Sequence, residues 1–334
     1  MRKVKFEDVA TRVNTREDKD NTSLLYYVGG DHIESGEMVV HNRGLIAGST
    51  IGPMFYFGFK KGDILLVSRN PHLRKASMVN FDGICSEKTF VIGTKDESVL
   101  LQRYLAVVVQ TDSFWNYCEE HKSGGVNFFV NWSTLAKYEF ELPDIVEQRI
   151  ISDKVWAAYE VKESYRKLIS ATDEIVKSRF IEMFGGNKYP NVRLGEFTDL
   201  TWGDTNTTKN SYISDGYLAF SASGPDGKLD HFDYDQEGIV LSAIGADCGK
   251  TWFAEGKWSC IKNTIRFWSI SDKLDNHYLF LATRDKEYWP RKGGAQPFIP
   301  QGEARDCVIP LPPIDMQYAF VKFANQADKS KYLN

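Results

Sequence analysis

Apolar residues in this chain gather in short runs bounded by turn-forming residues. One run covers residues 64–67, after the turn formed by Gly62 and Asp63, and another covers residues 239–241. Short apolar runs between turns are typical of buried β-strands. Residues 144–184 differ: they contain no Gly or Pro and are rich in Glu, Lys, Arg and Ala, which predicts one long helix.

The predicted helix follows Pro143 and stops at Gly185, residue types that suit a helix start and end. At ~1.5 Å per residue it would span roughly 60 Å. Its apolar positions form an imperfect heptad seam, which indicates a partner along one face. The seam residues that we expect to bind a partner, or a second copy of the chain, are Ile151, Val155, Tyr165 and Ile169.

The sequence contains an internal repeat, in which the second half corresponds to the first. An offset of 175 residues, which shortens to 169 after a helical stretch in each half (residues 99–117 and 276–289), aligns an ordered series of motifs. The aligned pairs are 62–68 with 237–243, Cys85 with Cys260, 122–125 with 291–294, Asn127 with Gln296, and Gln148 with Gln317. The series predicts two copies of one domain, either with a shared task or without one.

The repeat and the helix together predict the organisation of the chain. We expect an α/β (α+β) fold of two similar domains in a pseudo-two-fold arrangement, separated by long antiparallel coiled-coil helices of which the second is short. The predicted segments are a first domain (1–142), a spacer helix (143–185), a second domain (186–311) and a second spacer helix (312–334).

Composition narrows the class of protein. The 334 residues include no apolar run near the ~18–20 residues that cross a bilayer. The five cysteines are scattered without metal or disulfide spacing, and the N-terminus lacks a secretory signal, so we expect a cytoplasmic protein with no membrane association. A net charge of −4 argues mildly against a nucleic-acid binder, which would then depend on local basic patches.

Motifs for catalysis are missing from the sequence. There is no phosphate-binding loop and no glycine-rich turn for a methyl donor, and Asn70-Pro71-His72-Leu73 lacks the second Pro and the aromatic ring of an amino-methyltransferase motif. The six histidines show no metal-binding spacing. We therefore expect no catalytic residue, no metal site and no cofactor in this chain, which favours binding over conversion.

Seven segments resemble a known family, the specificity subunits of type I restriction–modification systems, over essentially the whole chain. These segments are residues 28–33, 42–44, 61–65, 68–76, 81–86, 142–148 and 309–317. The last two resemble the family's Leu-Pro-x-x-x-x-Gln entry into each spacer helix. One departure is that only about 20 residues follow Pro313, whereas the family's second helix usually matches the first in length.

The resemblance implies a role in phage defence. Each domain would be a target-recognition domain that binds one arm of a bipartite site in double-stranded DNA. Two methyltransferase subunits on the helices would methylate adenines with S-adenosylmethionine, and restriction subunits would translocate DNA with ATP and Mg²⁺. All these cofactors would belong to the partner subunits.

A Pro-containing loop in the first half carries several cations and an amide that suit phosphates and base edges. Its predicted DNA-binding residues are Arg69, Asn70, His72, Arg74 and Lys75, and the equivalent region of the second half offers Lys250 and Trp252. The loop also fits a solvated connection between strands, and Trp252 fits a core position equally well.

The second cluster predicted to bind DNA places cations and an amide beside a Gly-Gly pair. Its residues are Lys122 and Asn127 in the first half, and Arg291, Lys292 and Gln296 in the second. The same pattern fits a strained turn, with the amides capping backbone groups. A function of another class also remains: a scaffold or decoy that binds methyltransferase subunits without reading DNA, as the acidic charge and short last helix would allow.

Overall fold

The structure of the protein, a computed structural model, describes residues 2–294 and 296–330. The chain divides into two compact units, Met1–Ser164 and Tyr165–Asn334. The boundary between them falls inside the longest helix.

The first unit combines short strands with short helices. Its strands are β1 (Arg2–Lys5), β2 (Ala10–Val13), β3 (Tyr26–Val28), β4 (Gly44–Leu45), β5 (Phe55–Phe59), β6 (Ile64–Val67), β7 (Ala76–Met78), β8 (Gly83–Ser86), β9 (Thr89–Thr94) and β10 (Glu139–Leu142). Its helices are α1 (Phe6–Val9), α2 (Gln102–Val108), α3 (Asp112–Glu120), α4 (Trp132–Leu135), the first part of α5 (Ile145–Phe184), and a 3-10 turn at Pro71–Leu73.

The second unit is built from the same kinds of element. Its strands are β11 (Asn191–Arg193), β12 (Thr198–Trp202), β13 (Tyr217–Ser221), β14 (Gly224–Leu229), β15 (Tyr234–Asp235), β16 (Gly238–Ser242), β17 (Thr251–Ala254), β18 (Lys257–Cys260), β19 (Thr264–Ser269) and β20 (Val308–Pro310). Its helices are the rest of α5, α6 (Leu194–Phe197), α7 (Asn276–Thr283), α8 (Gln301–Asp306), α9 (Ile314–Ser330), and 3-10 turns at Lys209–Ser211 and Lys286–Tyr288.

Both units have the same sheet topology. Each unit has two four-stranded sheets and one two-stranded sheet, β1-β10 or β11-β20. The first four-stranded sheet has the order β2-β9-β6-β7 in the first unit and β12-β19-β16-β17 in the second, and the second has the order β4-β3-β8-β5 and β14-β13-β18-β15. The parallel pair β3–β8 has its counterpart in β13–β18. The aligned runs form β6 and β16, which occupy the same place in their sheets. The predicted α/β class, with two similar domains and a long helix, is therefore confirmed.

One predicted helix is wrong in detail. Residues 99–117 are predicted as one helical stretch, but they contain all of α2 and the start of α3, with a break between the two helices. The hydroxyl of Thr111 accepts a hydrogen bond from the Phe114 amide (3.3 Å) and caps α3. A capping side chain of this kind competes with the continuing helix, which explains the break.

The glutamine of each Leu-Pro-x-x-x-x-Gln motif ties a spacer helix to its own domain. Gln148 is fully buried; its amide group donates hydrogen bonds to the carbonyls of Val99 (2.9 Å) and Pro143 (3.0 Å), and its side-chain oxygen accepts one from the Leu101 amide (3.0 Å). The equivalent Gln317 makes the same set of bonds. A requirement for all three bonds explains why the motif ends in Gln.

The seam of α5 is predicted to bind a partner, but its first part packs against its own unit. Ile151 and Val155 are half-buried and pack against the core of the first unit, together with the buried Trp156. The heptad spacing identifies an apolar face, but it does not identify the surface that covers it. Farther along the helix Tyr165 and Ile169 are exposed, so their binding of a partner stays a prediction.

In the second unit, the end of α5 packs against α9. Phe180 and Phe184 each lie 5.5 Å from Phe320, centroid to centroid, while Arg179 stacks on Phe323. The later turns of α5 and the helix after Pro313 therefore pair as helices within this unit. Among the described residues, no helix is both long and apolar enough to span a membrane.

Candidate functional site

The two loops predicted to bind DNA in the first unit, residues 68–75 and 122–130, lie side by side. The amide of Asn70 donates a hydrogen bond to the carbonyl of Phe128 (2.9 Å), and Arg69 forms a β-bridge with the following residue of the same loop. We call these two segments the paired loops of the first unit. Two clusters that are about 50 residues apart in sequence thus form one surface.

The second unit repeats this arrangement with residues 243–250 and 291–299. The amide of Gly245 donates to the carbonyl of Pro297 (3.0 Å), and Ile244 forms the equivalent β-bridge with the following residue. These segments are the paired loops of the second unit. The repeat therefore extends from the sheets to the surface on which the candidate residues lie.

A tight turn closes the second loop of the first unit. Ser123 and Phe129 exchange two backbone hydrogen bonds of 2.8 and 2.9 Å. Gly124 has a φ of +99°, and a Cβ at this position would lie 2.6 Å from the carbonyl oxygen of Asn127. Gly125 has neither constraint, since nothing lies within 4 Å of its added Cβ. Only the first glycine of the pair is thus required by the turn.

The turn of the second unit has the same geometry. Lys292 and Phe298 exchange backbone hydrogen bonds of 2.9 and 2.8 Å. Gly293 has a φ of +84°, and its added Cβ would lie 2.8 Å from the Gln296 carbonyl oxygen, whereas Gly294 has open space. The tight-turn interpretation holds for both units, and it presents the neighbouring side chains in equivalent places.

The Pro-containing loop has an unusual backbone. A 3-10 turn at Pro71–Leu73 is flanked by Asn70 and Arg74, whose φ angles of 51° and 49° lie in the left-handed region. Residues other than glycine rarely adopt this conformation, and such positions concentrate at functional sites. The turn leaves the side chain of His72 exposed.

Two of the candidate cations in the first unit are held by carboxylates. A guanidinium nitrogen of Arg74 lies 2.5 Å from a carboxylate oxygen of Asp112. The ammonium of Lys122 lies 2.7 Å from a Glu119 oxygen and 4.4 Å from the centroid of the Phe128 ring. Partly exposed ion pairs contribute little net stability, so a phosphate can replace the carboxylate at small cost.

The remaining first-unit candidates differ in availability. The ammonium of Lys75 donates to the carbonyl of Gly30 (2.7 Å), which ties the loop to a neighbouring turn. Arg69 is half-buried. Asn127 is exposed, and its side chain therefore does not cap the backbone from inside.

In the second unit the candidate cations are also paired with carboxylates. The ion pairs are Lys250 with Asp247 (2.6 Å), Arg291 with Glu287 (2.5 Å) and Lys292 with Glu303. Gln296 is exposed. Trp252, in contrast, is half-buried in β17 and packs against a cluster that contains Phe220 and Val240. This packing favours a core position for Trp252 over a DNA contact.

The structure also reveals a polar network that sequence reasoning missed. The buried carboxylate of Glu37 accepts hydrogen bonds from the Tyr159 hydroxyl (3.1 Å) and the Lys162 ammonium (2.8 Å). His41 lies 2.9 Å from the same hydroxyl and 3.4 Å from a Glu163 oxygen. Burial, reinforced by Glu37, raises the pKa of Tyr159. The network attaches the start of α5 to the first unit.

Three potential metal ligands meet in this network. One ligand atom each from Glu37, His41 and Glu163 lies within 4.8 Å of the others. The Lys162 ammonium already neutralises the Glu37 carboxylate at 2.8 Å, and its charge would repel a divalent cation. We assign the cluster to helix attachment; no local sequence pattern could have revealed it, because Glu37 and Lys162 are 125 residues apart.

The cysteines do not resemble nucleophiles. Burial raises the pKa of Cys85, Cys118 and Cys260 to about 12. Thiols with such pKa values stay protonated at neutral pH, and the thiolate is the reactive form. Cys85 and Cys260 occupy equivalent positions in β8 and β18, where they fill the core.

Comparisons with known proteins bear on the fold. No protein-family model and no curated protein matches the sequence. Among solved structures, the S subunit of a type I restriction–modification system from M. genitalium is 12% identical and has a TM-score of 0.59, over 99% of this chain and 90% of that one. The HsdS subunit from Thermoanaerobacter tengcongensis, with the same coverage, is 19% identical with a TM-score of 0.42. The first likeness confirms the fold that the resemblance implies.

Proposed function

We propose that this chain is the specificity subunit of a type I restriction–modification complex, in which the paired loops of each unit read one arm of a bipartite DNA site. The observation that carries the proposal is the repetition of the paired loops, with their turn and their cations, on two copies of one domain. Two similar surfaces on one chain suit a target made of two separate half-sites. The specificity-subunit fold supports the same function.

In the proposed complex, this chain determines which DNA sequence is bound, and its partner subunits carry out the reactions. Methyltransferase subunits that contact the helices would methylate an adenine in each half-site with S-adenosylmethionine. Restriction subunits would use ATP and Mg²⁺. The acidic net charge of −4 is compatible with this role, because the candidate cations concentrate on the paired loops and partner subunits would add affinity.

The test is DNA retention by the assembled complex. The chain is combined with a type I methyltransferase subunit, and a random-sequence DNA library is selected at physiological salt. We expect the complex to retain one bipartite sequence that neither component retains alone. Methyltransferase that retains the same DNA with or without the chain would contradict the proposal and favour the scaffold or decoy function.

The Arg74–Asp112 pair gives a more local prediction. Arg74→Gln should weaken binding to specific and random DNA alike and lower the slope of log affinity against log salt by about 1, because one phosphate contact is lost. Asp112→Asn should do the opposite and strengthen binding to both DNAs by roughly two- to five-fold, since it releases the guanidinium from an exposed ion pair.

The matched control is Lys60→Gln, an exposed cation of the same unit outside the paired loops. Affinities are measured for the assembled complex at several salt concentrations. Equal salt slopes for Arg74→Gln and Lys60→Gln would show that Arg74 makes no phosphate contact.

A further inference from the structure

The turn of the first unit presents a side chain that the fold does not need. Val126 is 92% exposed and is the most exposed large hydrophobic residue in the described part of the chain. It lies between Gly125 and Asn127 at the tip of the turn. Turn tips favour Gly, Asn, Asp and Ser, and a β-branched apolar residue there gains nothing from burial. Such departures from local preference are expected at functional positions.

The base of this turn is fixed, so the tip is presented in a defined place. Ser123 and Phe129 close the turn with two backbone hydrogen bonds, and the bond from the Asn70 amide to the Phe128 carbonyl holds it against the neighbouring loop. The conformation required of Gly124 restricts the turn further. An apolar group held in this way can meet a ligand with little loss of conformational entropy on binding.

The chemistry of DNA limits what an isolated apolar tip can recognise. On the base edges of the major groove, the apolar group is the C5 methyl of thymine. A wedge that opens a base step uses longer or ring-shaped side chains such as Phe, Leu, Ile, Met or Pro. Valine is too short for that role but suits contact with a methyl group. The equivalent residue of the second unit is Ala295, also short and apolar, although it lies outside the described residues.

We propose that Val126 reads the C5 methyl of one thymine in the half-site bound by the first unit. This inference rests on the proposed function and adds a specificity-determining residue to it. The neighbouring cations Arg74 and Lys122 would then contact phosphates of the DNA backbone, while Val126 contacts a base. Replacing the thymine with deoxyuracil, which removes only the methyl, should weaken binding by roughly four-fold.

The test is a deoxyuracil scan of the half-site. The assembled complex of the chain and its methyltransferase binds DNA in which each thymine is replaced singly. Wild type should lose roughly four-fold at one thymine, and Val126→Ser should lose this sensitivity at that position alone. Leu45→Ser is the matched control: Leu45 is 61% exposed in the same unit but lies in β4, and its replacement should leave every deoxyuracil penalty unchanged.

The outcomes separate the inference from the function on which it rests. If the wild-type complex selects no DNA sequence, the proposed function fails and this inference fails with it. If the complex selects its sequence but Val126→Ser retains every deoxyuracil penalty of the wild type, the inference alone is overturned. A penalty that disappears in Val126→Ser and persists in Leu45→Ser would support it.

Discussion

Replacing Gly124 with alanine is expected to weaken binding to the half-site read by the first unit by about 10- to 100-fold. The added Cβ would lie 2.6 Å from the Asn127 carbonyl oxygen, in a backbone with a φ of +99°. Holding alanine in this conformation costs roughly 1–3 kcal/mol, so the turn shifts to other conformations and the paired loops lose their shape.

Gly125→Ala is the control, because it adds the same methyl group one residue away, in open space. Affinity of the assembled complex is measured for DNA with one half-site altered at a time. Gly293→Ala and Gly294→Ala repeat the comparison for the other half-site, with the loss expected only for Gly293→Ala. Equal effects of Gly124→Ala and Gly125→Ala would show that this turn has no part in binding.

Replacing Gln148 with leucine is expected to destabilise the first unit by about 4 kcal/mol. The change leaves the Leu101 amide and the carbonyls of Val99 and Pro143 without their partner, in a place where Gln148 itself is fully buried. Each buried group that loses its hydrogen bond costs about 1–3 kcal/mol, and the gain from burying leucine offsets part of the sum.

The measurement is thermal unfolding of the full chain. For a unit of this size the loss corresponds to a fall of roughly 10 °C in the unfolding temperature. Arg149→Leu, at an exposed position of the same helix, is the control and should leave the unfolding temperature nearly unchanged. Gln317→Leu should lower the stability of the second unit in the same way. If Gln148→Leu and Arg149→Leu have the same unfolding temperature, this account of the motif is contradicted.

The sequence predicted those features that local patterns encode. The apolar runs predicted β6 and β16, and the absence of Gly and Pro predicted α5 with nearly its observed bounds. The offsets of the repeat predicted two copies of one domain, since they aligned residues that take equivalent places in the sheets. Composition and motifs gave expectations about chemistry, but they could not reveal which surfaces face each other.

What the sequence could not predict depends on contacts between distant residues. The pairing of residues 68–75 with 122–130 joins two clusters that had been identified separately. The cover on Ile151 and Val155 is the core of their own unit. The bond between Glu37 and Lys162 joins a loop to a helix without any local signature. In each case the sequence pattern is compatible with several contacts, and tertiary packing determines which of them forms.

The measurement that tests the central claim most directly is a domain exchange. Residues 1–142 are replaced by the same region of a relative with a different target, and the methylated adenines are mapped in a genome that carries the complete system. The account predicts that one half of the recognition sequence changes to that of the relative while the other half stays the same. If both halves change together, or if neither changes, the two units do not read separate half-sites.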